Sequence, residues 1–112
     1  MAGWARTLVT DAVDLEEPGV TAVEMRVQHE FIAEDVTFVG SVAGARVHTI
    51  SFGDDVVWTH AKGVDVAIFN TDSLLRGMMK GQVLKPGLDI KVQGAIPEKG
   101  RFAVSFVGWK PK

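Results

Sequence analysis

Two imidazoles and a carboxylate, His48, His60 and Asp65, are the titratable trio that the strand pattern of this chain brings together. Such a set can hold zinc or non-haem iron, or move protons. They fall in a run, Arg46–Thr71, that also carries Arg46, Trp58, Lys62 and Phe69. An indole beside cations and imidazoles is the equipment of a sugar-binding surface, where the ring stacks on apolar C–H groups and the polar groups bond hydroxyls. Cross-strand polar pairs are equally routine on a solvated sheet, and the dense spacing of metal-ligand motifs is missing. No residue is therefore assigned a catalytic or metal-ligating role, and no cofactor is expected. The expected ligand-binding set is Arg46, His48, Trp58, His60, Lys62, Asp65 and Phe69.

What must position these residues is a three-stranded meander: Arg46–Phe52, Val56–Lys62 and Val64–Thr71. Gly53-Asp54-Asp55 and Lys62-Gly63 supply the turns, since Gly and Asp tolerate tight-hairpin backbone angles. A three-residue first loop sets Phe52 opposite Val56, Ile50 opposite Trp58 and His48 opposite His60. A two-residue second turn sets Ala61 opposite Val64 and His60 opposite Asp65. Side chains alternate between faces, so Arg46, His48, Trp58, His60, Lys62, Asp65 and Phe69 share one face with Ile50, Phe52, Val56 and Ala67. The reverse face carries Val47, Thr49, Ser51, Val57, Thr59, Ala61, Val64, Val66 and Ile68, a small and mostly apolar set that suits a core. A slip of one residue in either loop exchanges the two faces.

The flanking chain reads as further strands. Met1–Leu15 is an edge strand or ordered arm, and Glu16-Glu17-Pro18-Gly19 a turn. VTAVEMRVQHEF alternates, with Thr21, Val23, Met25, Val27, His29 and Phe31 on one side and His29 expected in the core. Ala33-Glu34-Asp35 ends that strand, and VTFVGSVAG begins another in which Gly40 signals a bulge or a close approach. Residues 72–80 form one short helix or an irregular loop, with Thr71 or Asp72 as cap and Gly81 as stop. Leu84-Lys85-Pro86-Gly87 turns the chain into LDIKVQG, with Leu88, Ile90 and Val92 inward. Pro97-Glu98-Lys99-Gly100 turns it again into RFAVSFVGW, with Phe102, Val104 and Phe106 on one side. Strands at this spacing predict an all-β chain: an antiparallel β-sandwich of the jelly-roll or galectin-like kind, with a closed barrel as the alternative.

The 112 residues suit one domain spanning 1–112. A net charge of -2 argues against a nucleic-acid partner, and no apolar run is long enough to span a membrane. With no cysteine and no evident secretory signal, a cytoplasmic setting is expected. There is no glycine-rich phosphate loop, no G-x-S-x-G and no H-E-x-x-H.

The run ARVHTISFGDDVVWTHAKGVDVAIFNT is similar to the galectin stretch A-x-R-F-x-I-N-L, D-I-x-L-H-F-N-P-R-F, V-V-x-N-T. LKPGLDIKVQGAIPEKGRFAVSFVG resembles the P-F-x-P-G-x-x-F-x-I-x-I stretch that follows. The resemblance spans roughly residues 36–108 and implies a lectin-like sandwich. It places Asn70 on the family's asparagine and adds it to the expected ligand-binding set. The galectin H-x-N-x-R cradle falls on Thr59, Ala61 and Gly63, and its W-G-x-E-x-R loop on LLRGMMKG, so the galactose-binding residues are not matched.

The function expected first is a non-catalytic binding module, with a glycan as ligand through one sheet face. The alternative is a structural or self-assembling interaction module, a homo-oligomer or one with a protein partner, drawn from the apolar segments LLRGMM and GWKPK. The third is a small metal-dependent enzyme using His48, His60 and Asp65. Binding or assembly is favoured over catalysis because no catalytic motif is present.

Overall fold

Where apolar residues alternate most regularly, the backbone is extended and buries them on one side. Phe102, Val104 and Phe106 are fully buried, as are Ile90 and Val92. The computed structural model describes residues 3–112, at Ser73 the backbone alone; Met1 and Ala2, which open the expected N-terminal segment, lie outside the described residues. Eight strands and two short helices run in the order β1 Trp4–Leu15, β2 Gly19–Arg26, β3 Phe31–Thr37, β4 Arg46–Phe52, β5 Asp55–Asp65, α1 Val66–Thr71, α2 Ser73–Gly77, β6 Val83–Leu84, β7 Asp89–Ile96 and β8 Gly100–Pro111. They build two antiparallel four-stranded sheets, β1-β8-β3-β6 and β2-β7-β4-β5, packed as a sandwich rather than closed into a barrel.

The pairings are nested: β1 with β8, β2 with β7, β3 with β6, β4 with β5. The chain is thus doubled on itself about the Gly53-Asp54 turn, and the doubled ribbon is folded into two sheets, which is the jelly-roll arrangement. One register runs through most of the ribbon. Trp4 faces Pro111 and Leu15 faces Gly100; after a corner, Gly19 faces Ile96 and Arg26 faces Asp89; after the next, Phe31 faces Leu84. The corners match in length on the two arms, residues 16–18 against 97–99 and 27–30 against 85–88.

Charge is laid out along this register. Three ion pairs join directly opposed strand residues, Asp14 with Arg101 (2.9 Å), Glu24 with Lys91 (3.6 Å) and Arg26 with Asp89 (2.9 Å), and two join the facing corners, Glu16 with Lys99 (3.1 Å) and Glu30 with Lys85 (3.6 Å). Exposed pairs of this kind contribute only about 0.2–1 kcal/mol each. Bulk stability comes from the interior, where burying one large apolar side chain contributes about 1.5–3 kcal/mol. All six phenylalanines are buried there. Phe38 meets Phe69 edge-on at 5.3 Å, and Phe52 meets Phe106 at 5.7 Å. Two strand glycines make room for this packing. A Cβ on Gly94 would stand 2.7 Å from Phe102 Cζ, and one on Gly108 2.6 Å from Phe31 Cζ, so neither position tolerates a larger residue without displacing a core ring.

The structure departs from the sequence reading at several places. VTAVEMRVQHEF is not one strand: residues 27–30 make a corner and Phe31 opens β3 in the other sheet. His29 therefore sits half-buried in the corner, with Nδ1 3.0 Å from the Glu30 carbonyl, instead of in the core. Ala33-Glu34-Asp35 does not end a strand but carries a β-bulge within β3, which stops at Thr37. The third strand of the meander is replaced by the end of β5 and by α1. Asp65 Oδ1 accepts the Ala67 N–H at 2.8 Å and caps a helical turn, and Val66 and Phe69, three apart, bury together. Residues 72–80 hold a second helical turn, capped as expected by Asp72, which accepts from the Leu74 and Leu75 N–H groups.

Reversing one rung of the ladder tests whether opposed charge specifies register. Lys91→Glu sets like charges opposite each other and is expected to lower stability by about 0.5–1 kcal/mol, with the double exchange Glu24→Lys/Lys91→Glu restoring it. Urea unfolding of the three proteins reads the effect.

Candidate functional site

The expected ligand-binding face divides into two groups. The hairpin loop is one residue shorter than expected, with Phe52 opposite Asp55, and a bulge at Val57 then restores Ile50 opposite Trp58. A second irregularity interrupts the pairing between Val47 and Thr49, so that Val47 faces Val64 and Thr49 faces Thr59. Residues 60–63 therefore bulge out of the ladder, and His48 is not set opposite His60. Along β4, Val47, Ile50 and Phe52 are buried while His48 and Thr49 both lie on the outer side. Trp58, at 9% exposure, is core; its ring meets Phe69 edge-on at 4.9 Å. Trp58 and Phe69 thus lie inside the sandwich, while Arg46, His48, His60 and Lys62 lie outside it. Of the reverse set expected in the core, Val47 and Val66 are buried, whereas Thr59, Ala61 and Ile68 are exposed.

Several of the polar residues are occupied by the fold. Arg46 donates from Nε to the Lys62 carbonyl at 3.1 Å and from Nη2 to the Gly63 carbonyl at 2.7 Å, clamping the bulged part of β5. Asp65 caps α1. Asn70 Oδ1 accepts the Phe38 N–H at 2.6 Å, tying α1 to the chain beyond β3. His60 lies near-parallel to the Trp58 ring at 6.3 Å, and its Nδ1 accepts from the Lys62 N–H at 3.3 Å. Among the described residues, no three His, Asp or Glu side chains stand close enough to share a metal ion, so His48, His60 and Asp65 do not form the expected cluster.

His48 is differently placed. The bulge in β4 turns it outward beside Gly63, where a Cβ would come within 2.9 Å of its Cε1. Gly63, at φ 76°, adopts a backbone that favours glycine and leaves space for the imidazole. The ring is half-buried, and no hydrogen bond to it is found among the described residues. It lines a hollow of about 420 Å³ with Val20, Thr21, Ala22, Gln93 and Gly94. The hollow lies beside a charged row of the same sheet: Glu24 and Lys91 occupy the next outward positions along β2 and β7 in one direction, and the uncharged Val20 and Ala95 those in the other. Its own lining carries no carboxylate, ammonium or guanidinium. The residues from β2 and β7 were not found from the sequence. Their signal was present: Val20 faces Ala95 and Ala22 faces Gln93, two uncharged outward pairs on an arm where Glu24–Lys91 and Arg26–Asp89 are ionic.

A second, more charged cleft lies on the other sheet, between the β3 bulge and the end of α2, lined by Glu34, Asp35, Arg76, Gly77 and Lys80. Arg76 grips Asp35 through Nε (3.0 Å to Oδ1) and Nη2, and Glu34 accepts from Trp109 Nε1 at 3.0 Å while pairing with Arg6. The Arg76 hydrogen bonds hold the Asp35 carboxyl below its ordinary range against partial burial, and the Val36 N–H adds to them. The hydrogen bond from Arg101 does the same for Asp14. No family model, curated protein or solved structure matches the chain. No helix among the described residues is long and apolar enough to cross a membrane.

Two measurements check this placement. Trp58→Ala is expected to lower stability by about 3–5 kcal/mol, the cost of emptying a core site, where a surface indole would cost under about 0.5 kcal/mol. Asp35 and Asp14 have depressed folded-state pKa values, so their contribution is complete above the unfolded value of about 4 and is lost as pH falls through the folded one. Urea midpoints should therefore drop on acidification below about pH 4, and Asp35→Asn should flatten part of that fall while lowering the midpoint at neutral pH.

Proposed function

We propose that this chain is a non-catalytic binding module whose ligand is a neutral polyhydroxylated molecule, a saccharide, seated in the hollow around His48. The observation that carries this reading is the chemistry of the lining. An imidazole without an internal partner and the Gln93 amide stand around Val20 and Ala22, with Thr21 and Gly94 completing the lining and no carboxylate, ammonium or guanidinium among them. Neutral donors and acceptors over small apolar surface suit hydroxyl groups and C–H faces better than they suit an ion. The volume lies within the range of small-molecule sites, roughly 300–1,000 Å³. The resemblance to galectins supports the same ligand class, while the unmatched cradle leaves galactose itself without support.

The site differs from the one the sequence suggested. Trp58 is unavailable for stacking, so affinity rests on a few hydrogen bonds and is weak, with Kd of the order of millimolar. Weak recognition of this kind fits a binding module better than an enzyme. A cytoplasmic setting belongs to the same reading and rests on the absence of cysteine.

A glycan array followed by amide-resolved NMR titration tests the proposal. Saccharide addition should move the resonances of Ala22, His48 and Gln93, and His48→Ala or Gln93→Ala should each weaken binding about 5–10-fold. A silent array, or binding indifferent to both substitutions, would refute it.

A further inference from the structure

Strand β1 is the outermost strand of its sheet, joined to β8 along twelve residues without a bulge. The phase of its backbone follows from one bond. The Lys112 N–H reaches the Gly3 carbonyl at 3.0 Å, so odd-numbered residues bond β8 and even-numbered ones turn their N–H and C=O groups to the free edge. Ala12 is even-numbered, and its N–H is taken instead by Asp11 Oδ1 at 2.7 Å. Asp11 belongs by parity to the inward row of Val9, Val13 and Leu15, which pack against the core, yet it is exposed. A carboxylate in an inward row, covering an edge N–H, is one of the ways a sheet edge is closed to strand addition. The strand WARTLVTDAVDL holds neither lysine nor proline that could serve the same end.

We infer that the free edge of β1 is a surface for pairing with a second copy of this chain, and that Asp11 holds it closed. The occupant follows from charge. When two copies of β1 lie antiparallel with Thr10 opposite Thr10, Leu8 faces Ala12, and Arg6 of each copy, which also pairs with its own Glu34, faces Asp14 of the other, which also pairs with its own Arg101. All of these are edge-facing residues, so their free backbone groups meet in register. The pairing would join two four-stranded sheets into one of eight. Asp11 opposes it twice over: it occupies the Ala12 donor, and the two carboxylates approach each other diagonally across the two-fold axis beside Val9.

Sedimentation velocity on the full chain tests the inference. Asp11→Val should raise the self-association constant roughly 100-fold over the unsubstituted protein, through two freed donors and two removed charges. Adding Leu8→Pro, which removes an edge-facing N–H and leaves the β8 ladder intact, should return the protein to monomer. An Asp11→Val protein that stays as monomeric as the parent overturns the inference. So does a parent that already associates equally, or association that survives Leu8→Pro. Amide hydrogen exchange gives an independent reading without substitution: the Ala12 amide should exchange more slowly than the open-edge amides of Leu8 and Thr10, and equal rates would contradict the guard.

Discussion

The register of the doubled ribbon is the constraint on which the rest of the structure depends. A strand shifted by one residue presents its outer row to the core, so every buried side chain presupposes the correct pairing of the two arms. Equal corners keep that pairing in step from β1·β8 through β2·β7 to β3·β6. Opposed charge discriminates among the remaining choices. Glu24 and Arg26 face Lys91 and Asp89; a slip of two residues, which preserves the faces, sets Glu24 against Asp89 in one direction or Arg26 against Lys91 in the other. Each ion pair is individually weak. Their effect lies in making the neighbouring registers worse, while the buried phenylalanines supply most of the stability.

The candidate site arises where that regularity is interrupted. A bulge re-aims the side chains that follow it, and β4 and β5 both carry one beside His48. The result is an imidazole turned outward over a glycine, on a sheet face whose ion pairs, Glu24–Lys91 and Arg26–Asp89, lie between β2 and β7. The β3 bulge has a comparable effect on the opposite sheet, where Glu34 and Asp35 project toward Arg6 and Arg76. Arginine partners neutralise both carboxylates there. The hollow around His48, by contrast, retains hydrogen-bonding groups that the fold does not use.

The sequence signals differ in kind between the two arms and the tip. Alternation in LDIKVQG and RFAVSFVGW was legible because one face is buried from Ile90 and Phe102 onward, while Leu88, expected inward, precedes β7 and is exposed; Asp72 announced its helix by local hydrogen-bonding chemistry. GVDVAIFNT also alternates, yet Asp65 caps a helical turn that places Val66 and Phe69 on the same side. A short apolar run supports either period, and the cap together with the Phe38 and Trp58 contacts chose the helical one.

By itself the sequence determined the all-β antiparallel class, the turns at Pro18, Pro86 and Pro97, and the inward rows of β7 and β8. These follow from local propensity and from a period of two. Only the tertiary structure decided which side of the central hairpin is core, because parity there depends on two bulges and a loop length that no local pattern records. It also decided that Trp58 belongs with Phe69 inside while His48 belongs outside with Gln93, a residue forty-five positions away. That neighbourhood exists only once the ribbon has folded over and set β7 beside β4.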